Sequence, residues 1–210
     1  MKKYYSEFIG TFIMMFCGTG AMAIDETTNG SITHVGVAIT WGLIVMSLIY
    51  ALGETSGAHF NPAVTIAFTV NKNFPAKLVL PYLGSQFLGA ISASLLLKYL
   101  FPTSLFLGAS LPRNGNMQSL ILEIVLSFLL MLVILKVAQG SKEQGFFAGI
   151  AIGSVVLLEA MFAGPICGAS MNPVRSLTPA LISGHLSQVW IYLIGPPTGM
   201  LLAVGFNKLL

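Results

Sequence analysis

The chain contains the stretch Gly57-Ala58-His59-Phe60-Asn61-Pro62-Ala63-Val64 and, further on, the related stretch Gly168-Ala169-Ser170-Met171-Asn172-Pro173-Val174-Arg175. Asparagine is a preferred helix N-cap, because its side-chain oxygen accepts a backbone N–H of the first turn. Proline fits the next position, since its missing N–H would have no helical partner there. Each stretch therefore predicts a helix that starts at Asn-Pro. One capped short helix is unremarkable, but two in equivalent contexts indicate a functional pair.

The composition around these stretches is that of a membrane protein. Of 210 residues, 55% are hydrophobic and only 8% are charged, with a mean hydropathy of +0.85, whereas a soluble domain carries roughly 25% charged residues. We expect a single all-α membrane domain over residues 1–210, surrounded by lipid. Hydropathy predicts spans at 4–24, 34–53, 79–100, 117–138, 146–164 and 187–207. The apolar segments 61–70 and 172–182, which begin at the two Asn-Pro pairs, are too short to cross a bilayer.

The same composition argues against several other classes of protein. The two cysteines, Cys17 and Cys167, are too few for a disulfide scaffold or a metal cluster. A net charge of +3 is small and dispersed, and it gives no case for nucleic-acid binding. The sequence predicts neither a cofactor nor a metal site, and it shows no nucleophile–base set that would indicate an enzyme.

The two halves of the chain are related by an inverted repeat. Besides the two Asn-Pro stretches, the segment 6–12 aligns with 122–128, which pairs Glu7 with Glu123. Three spans separate the starts of the copies, so the second copy must be upside down in the membrane. We expect the repeats at 1–110 and 111–210. Small residues spaced four apart, Gly89/Ala93 and Gly195/Gly199, predict close helix packing.

The basic residues predict an orientation, because cytoplasmic loops carry an excess of Lys and Arg. With the N-terminus inside, the cytoplasmic basic residues are Lys2, Lys3, Lys72, Lys77, Lys136, Lys142 and Lys208. Lys98 and Arg113 then lie on the opposite side. Both termini are therefore expected in the cytoplasm, with the protein in the plasma (inner) membrane.

Inversion makes the two short helices enter from opposite sides, so that their N-termini meet near the middle of the membrane. Each N-terminus carries roughly half a positive charge, which repels cations and protons. The preceding segments 57–60 and 168–171 must be irregular backbone, tolerated at this depth only where it lines a water-filled cavity. Asparagine N–H groups left free by the caps, together with loop carbonyls, would then offer hydrogen bonds to passing water or hydroxyl groups.

On these residues the chain resembles the aquaporin, or major intrinsic protein, superfamily. The resemblance rests on both Asn-Pro boxes, on residues 56–65 and on the paired carboxylates, and it extends over essentially the whole chain. It implies six tilted helices, two half-helices and one pore per subunit of a homotetramer. It assigns the two pore motifs to Asn61, Pro62, Ala63, Asn172, Pro173 and Val174, the last of which replaces a usual alanine. It assigns pore-lining backbone to Gly57, Ala58, His59, Phe60, Gly168, Ser170 and Met171.

The resemblance also implies a selectivity filter and two structural carboxylates. The filter residues are Trp41, Ala160, Ala169 and Arg175, and the carboxylates that hold the loops are Glu7 and Glu123. Strict water channels of the family have histidine where Ala160 stands, so two alanines imply a wide, partly apolar opening. Together with Ser176 after the arginine, where glycerol facilitators have aspartate, this filter is similar to that of the nodulin-26-like branch.

That branch conducts water, glycerol and neutral metalloid acids such as boric, silicic or arsenous acid, and we expect these to be the partners of this pore. The alternatives are a water-selective channel and, with less support, a secondary transporter, which would normally need coupling carboxylates at its substrate site. Glu159 has no single interpretation from sequence, since it can face the pore, a neighbouring helix or a loop N–H.

Overall fold

The computed structural model describes residues 1–138 and 145–209, and all regular structure in these ranges is helical. The helices are α1 (Lys2–Thr27), α2 (Thr33–Ser56), α3 (Pro62–Val70), α4 (Val79–Leu100), α5 (Asn116–Ala138), α6 (Ala148–Cys167), α7 (Pro173–Ser183) and α8 (Val189–Asn207). A short 3-10 turn, Ala76–Leu78, leads into α4.

Six helices in the described ranges are long and apolar enough to cross a membrane: α1, α2, α4 with its preceding turn, α5, α6 and α8. By contrast, α3 has 9 residues and α7 has 11. At about 1.5 Å of rise per residue, both are much shorter than a hydrocarbon core of about 30 Å. The predicted set of six spans and two half-helices is therefore confirmed.

Several helices have different ends from those predicted by hydropathy. Helix α1 continues to Thr27 and α2 to Ser56, beyond the predicted 24 and 53. The apolar windows stop at polar residues such as Asp25 and Glu54, whereas the backbone hydrogen bonds of the helices continue through them. In α6 the helix starts later than predicted, at Ala148, and continues past Pro165 to Cys167.

Helix packing follows the inverted repeat. In the first repeat α1 packs against α2 and α4, and in the second α5 packs against α6 and α8. Each half-helix contacts the last span of the other repeat, α3 with α8 and α7 with α4. The equivalent helices α2 and α6 pack against each other, as do α3 and α7. This arrangement brings the N-termini of the half-helices together inside the bundle.

Glycines allow the closest of these contacts. A Cβ added at Gly42 would lie 2.7 Å from the carbonyl oxygen of Gly153, and a Cβ at Gly153 would lie 2.7 Å from that of Gly42. The two glycines are 111 residues apart, as are Asn61 and Asn172, so they are equivalent positions that meet between α2 and α6. The small-residue spacing also correctly predicted close packing at Gly89, where a Cβ would lie 2.3 Å from the Phe8 oxygen.

Candidate functional site

The two half-helices begin at the predicted caps. Asn61 Oδ1 accepts the backbone N–H of Ala63 at 2.9 Å. Asn172 Oδ1 accepts those of Val174 at 3.2 Å and Arg175 at 3.4 Å. The prolines stand in the first turn of each helix. The sequence rule for helix starts therefore correctly located the N-cap asparagine of each half-helix.

The two asparagines also tie the repeats together. Asn61 Nδ2 donates to the backbone oxygen of Met171 at 2.7 Å, and Asn172 Nδ2 donates to that of Phe60 at 2.9 Å. The expectation that the caps leave both amides free was therefore wrong in part, because each amide donates one hydrogen bond to the opposite loop. The reason is how closely α3 and α7 approach, since the inverted repeat predicts that their N-termini meet but not that they come within hydrogen-bonding distance of the opposite loops.

The loops before the half-helices have the expected irregular backbone. Non-glycine residues in the left-handed region are uncommon, yet each loop contains two, with φ values of 50° at Ala58, 47° at Phe60, 39° at Ala169 and 49° at Met171. Such conformations persist only where the surroundings enforce them. The strain therefore points to strong local hydrogen bonding.

Two fully buried carboxylates supply that bonding. Glu7 accepts the backbone N–H groups of His59 at 3.0 Å and Phe60 at 2.8 Å. Glu123 accepts those of Ser170 at 2.7 Å and Met171 at 2.9 Å. Without these acceptors the loop N–H groups would be buried and unpaired, at a cost of about 1–3 kcal/mol each.

His59 reinforces the first loop through its side chain. Its Nδ1 lies 3.0 Å from the Thr65 Oγ1 of α3, and its ring lies against those of Phe68, Phe74 and Tyr82. Its equivalent in the second loop is Ser170, whose Oγ donates to the Asn172 carbonyl at 2.9 Å. Thus both loops are fixed to their own half-helices, by different chemistry.

Two cavities enter the bundle from opposite faces. The termini-side vestibule has about 450 Å³ and lies on the side where α1 begins. Its lining includes Gly57, Ala58, His59, Phe60, Asn61, Ser170, Met171 and Asn172. The far-side vestibule has about 780 Å³, and its lining includes Met22, Ala160, Gly168 and Ala169. Among residues 1–138 and 145–209, only Trp41 and Arg175 line both cavities, so these two side chains stand where the vestibules meet.

The guanidinium of Arg175 is buried and held from three sides. Its Nη1 donates to the Gly108 carbonyl at 2.7 Å, and its Nη2 donates to the Sδ of Met22 at 3.0 Å. Its Cζ lies 4.7 Å from the centre of the Trp41 ring, a cation–π distance. Gly18 provides the space for that ring, since a Cβ there would lie 2.5 Å from the indole.

The contacts from Met22, Gly108 and Gly18 were missed by sequence reasoning. Met22 is 153 residues from Arg175, and Gly108 is 67 residues away. Neither lies in a motif or at a repeat-related position that would have pointed to it. Only the packing of α1 beside α2 brings the sulfur and the indole to the same guanidinium.

The remaining predicted site residues lie outside the linings of both vestibules. They are Pro62, Ala63, Pro173 and Val174, all buried in the starts of the half-helices.

Glu159 is also buried, with 1% of its surface exposed, and its two carboxylate oxygens have no hydrogen-bond partner among the described residues. The sequence left three interpretations of Glu159: it could face the pore, a neighbouring helix or a loop N–H. In the described part of the chain it bonds no loop N–H, and it lines neither vestibule. Residues 1–138 and 145–209 contain no His, Cys, Asp and Glu cluster able to hold a metal.

Fold and site together define a multi-pass membrane pore, in which an inverted repeat brings two half-helices to a constriction between two vestibules. Residues 1–206 match the family model described as major intrinsic protein. The chain belongs to the major intrinsic protein family, which is a family of membrane channels. The resemblance read from the sequence is thereby confirmed.

Relatives and solved structures agree with this membership. The chain is 46% identical to a rice protein named aquaporin NIP1-1 over 95% of this chain and 70% of the rice protein. It is 45% identical to an Arabidopsis thaliana protein named probable aquaporin NIP4-2, over 95% and 71%. The X-ray structure of the aquaglyceroporin from Plasmodium falciparum superimposes with a TM-score of 0.87 at 26% identity, covering 99% of this chain and 95% of that one. Both plant relatives belong to the nodulin-26-like branch, as the filter residues predicted.

Proposed function

We propose that the protein is a passive channel for water and small uncharged solutes, including glycerol and neutral metalloid acids. The observation that carries the proposal is the constriction itself, where Trp41 and Arg175 face an opening lined by the alanines Ala160 and Ala169. The names of the relatives, aquaporins in the plants and an aquaglyceroporin in Plasmodium falciparum, support the same class of solute.

The chemistry of the constriction suits a molecule with both hydroxyl groups and carbon. The Trp41 face accepts an apolar surface, and the Arg175 guanidinium donates hydrogen bonds to hydroxyl oxygens. Next along the path are Asn61 and Asn172, whose amide nitrogens each carry a second N–H besides the one donated across the repeat. Water and polyols exchange hydrogen bonds with these groups in sequence and need no conformational cycle to pass.

Ions are excluded by the same groups. Two half-helix N-termini, each with roughly half a positive charge, and the Arg175 guanidinium contribute positive potential at the narrowest part. An anion would be attracted to this positive charge, but it would have to lose its hydration shell beside two alanines and an indole ring. No cation would accompany it through the pore to offset that desolvation cost. The pore therefore selects neutral molecules.

In the cell we propose a homotetramer in the plasma (inner) membrane, with both termini cytoplasmic. The excess of lysines on the termini side supports this orientation, although Lys142 lies outside the described residues. Large apolar side chains on the outer surface of the spans, such as Tyr5, Leu80 and Leu158, are 60–80% exposed in the single subunit and suit lipid or a neighbouring subunit.

Stopped-flow light scattering on proteoliposomes tests the function. Under a hyperosmotic gradient, vesicles with the protein should lose water and shrink faster than protein-free vesicles. When glycerol or boric acid is the external osmolyte, they should also re-swell faster as the solute enters. Water flux without solute flux would instead identify a water-selective channel. Accumulation of a solute above its outside concentration, driven by an ion gradient, would identify a secondary transporter.

A further inference from the structure

One contact at the constriction has no counterpart among the predicted filter residues. Met22, near the far end of α1, is half-buried and lines the far-side vestibule together with Ala160, Ala169, Trp41 and Arg175. Its Sδ accepts a hydrogen bond from Arg175 Nη2 at 3.0 Å. Within the described part of the chain, a thioether is therefore one of the two hydrogen-bond acceptors of the Arg175 guanidinium, the other being the Gly108 carbonyl.

Helix α1 also packs against the loop that carries the second acceptor, the Gly108 carbonyl. Gly108 has a φ of 73°, and a Cβ there would lie 2.8 Å from the Cβ of Thr19, one turn before Met22. The backbone at Gly108 therefore lies against the same part of α1 from which Met22 extends. Both acceptors therefore lie at this outer turn of α1, since Met22 belongs to it and the loop that carries Gly108 packs against it.

The chemistry of the two acceptors differs in a way that matters for solutes. A methionine sulfur is a weak hydrogen-bond acceptor, and its flexible side chain adapts to neighbouring groups. An oxygen acceptor in its place would form a charge-assisted bond about twice as strong as a neutral one. A solute hydroxyl that approaches Nη2 can displace the weak sulfur contact, but it would compete poorly with an oxygen.

We propose that Met22 is a further specificity-determining residue of this pore, which holds Arg175 in position while leaving its Nη2 available to solute hydroxyls. The inference rests on the proposed function and deepens it, since it names which chemical class gains from the arrangement. Hydroxyl-bearing solutes larger than water depend on a bond from Arg175, whereas single water molecules find other partners along the pore.

Three variants test the role of the sulfur. Met22→Gln keeps nearly the same length and adds an amide oxygen, and Met22→Leu keeps the apolar bulk and removes the acceptor. Met117→Gln makes the same exchange at an exposed methionine on α5 that lines neither vestibule. Each is purified, reconstituted at equal protein content and assayed for glycerol and water permeability in the same vesicles.

We expect Met22→Gln to lower the glycerol-to-water permeability ratio by about fivefold, since an amide oxygen holds Nη2 more strongly than sulfur does. Met22→Leu should keep the ratio within about twofold of wild type or raise it, and Met117→Gln, an exposed position outside both vestibules, should leave it unchanged. An unchanged ratio in Met22→Gln, or an equal fall in Met22→Leu, overturns the inference. A merely structural defect would lower both permeabilities together and would also count against it.

If Met22→Gln does not fold, Met22→Cys carries the test. After folding, 2-hydroxyethyl methanethiosulfonate attaches a hydroxyl group at this position, and mass spectrometry measures the extent of modification. Modification should lower the glycerol-to-water ratio in Met22→Cys but not in wild type, whose Cys17 and Cys167 serve as the control. An unchanged ratio at full modification overturns the inference. Wild-type vesicles that pass no glycerol would instead refute the proposed function, so the two failures are distinguishable.

Discussion

At the scale of single residues, the absence of side chains is as important as their presence. Ala160 and Ala169 place only methyl groups around the opening beside Trp41 and Arg175, and the exposed fraction of each alanine is below 10%. Gly18 removes a further side chain and so leaves the space in which the Trp41 ring lies against α1. The width proposed for the opening therefore depends on three small residues on three different elements.

Replacing Ala160 by histidine should convert the pore towards water selectivity. The imidazole would project into the far-side vestibule beside Trp41, so little of the 1–3 kcal/mol typical of core overpacking should apply. We expect glycerol and boric acid permeability to fall about tenfold relative to water, equivalent to about 1.4 kcal/mol of added barrier. Swelling assays at equal protein content measure the ratio, with Ala160→Ser as the control for a small polar change. An unchanged ratio would show that Ala160 does not line the narrowest part.

At the scale of elements, local sequence rules predicted the half-helices, but they could not predict contacts between residues far apart in the sequence. Asn61-Pro62 and Asn172-Pro173 are local cap signals, and the structure has a half-helix at each. The cross-repeat bonds from the same asparagines, by contrast, join residues 110 and 112 positions apart. Their existence depends on how closely α3 and α7 approach, which is set by packing against α8 and α4. The same holds for the sulfur of Met22, which no spacing rule connects to Arg175.

The packing of α5 against α8 gives an element-scale prediction with a control on the same helix. A Cβ at Gly199 would lie 2.1 Å from the backbone oxygen of Ile124, and backbone cannot move aside cheaply. A Cβ at Gly205 meets nothing within 4 Å. We expect Gly199→Ala to destabilise the fold by about 1–3 kcal/mol, the usual range for overpacking, and Gly205→Ala to have little effect.

Thermal unfolding in detergent, followed by tryptophan fluorescence, measures this difference. The midpoint for Gly199→Ala should be several degrees lower than that of wild type and of Gly205→Ala. Equal midpoints for the two variants would mean that α5 and α8 are not in backbone contact at this position.

At the scale of the whole molecule, the inverted repeat makes two helix N-termini face one point. Neither repeat alone can do this, because a single half-helix would leave the other side of the pore without a matching positive end. The paired bonds between Asn61 and Met171 and between Asn172 and Phe60 keep the two ends in register. Charge exclusion is thus a property of the fold, and Arg175 adds to it at the constriction.

This arrangement predicts that the wild-type protein conducts no ions and that Arg175→Ala does. Removing the guanidinium takes away one full positive charge and widens the opening beside Trp41, while the half-helix ends remain. We therefore expect a small cation or proton leak, with water flux preserved or raised. Arg113→Ala is the matched control, because Arg113 is an exposed arginine that lines only the wide far-side vestibule.

Planar bilayers under voltage clamp measure the alkali-metal current, and a pH-sensitive dye in proteoliposomes measures proton entry, with gramicidin as the positive control. Currents that scale with the amount of wild-type protein would refute exclusion by the paired half-helices. If Arg175→Ala folds, passes water and stays as tight as Arg113→Ala, then the half-helix ends alone suffice to exclude ions, and the arginine acts on neutral solutes only.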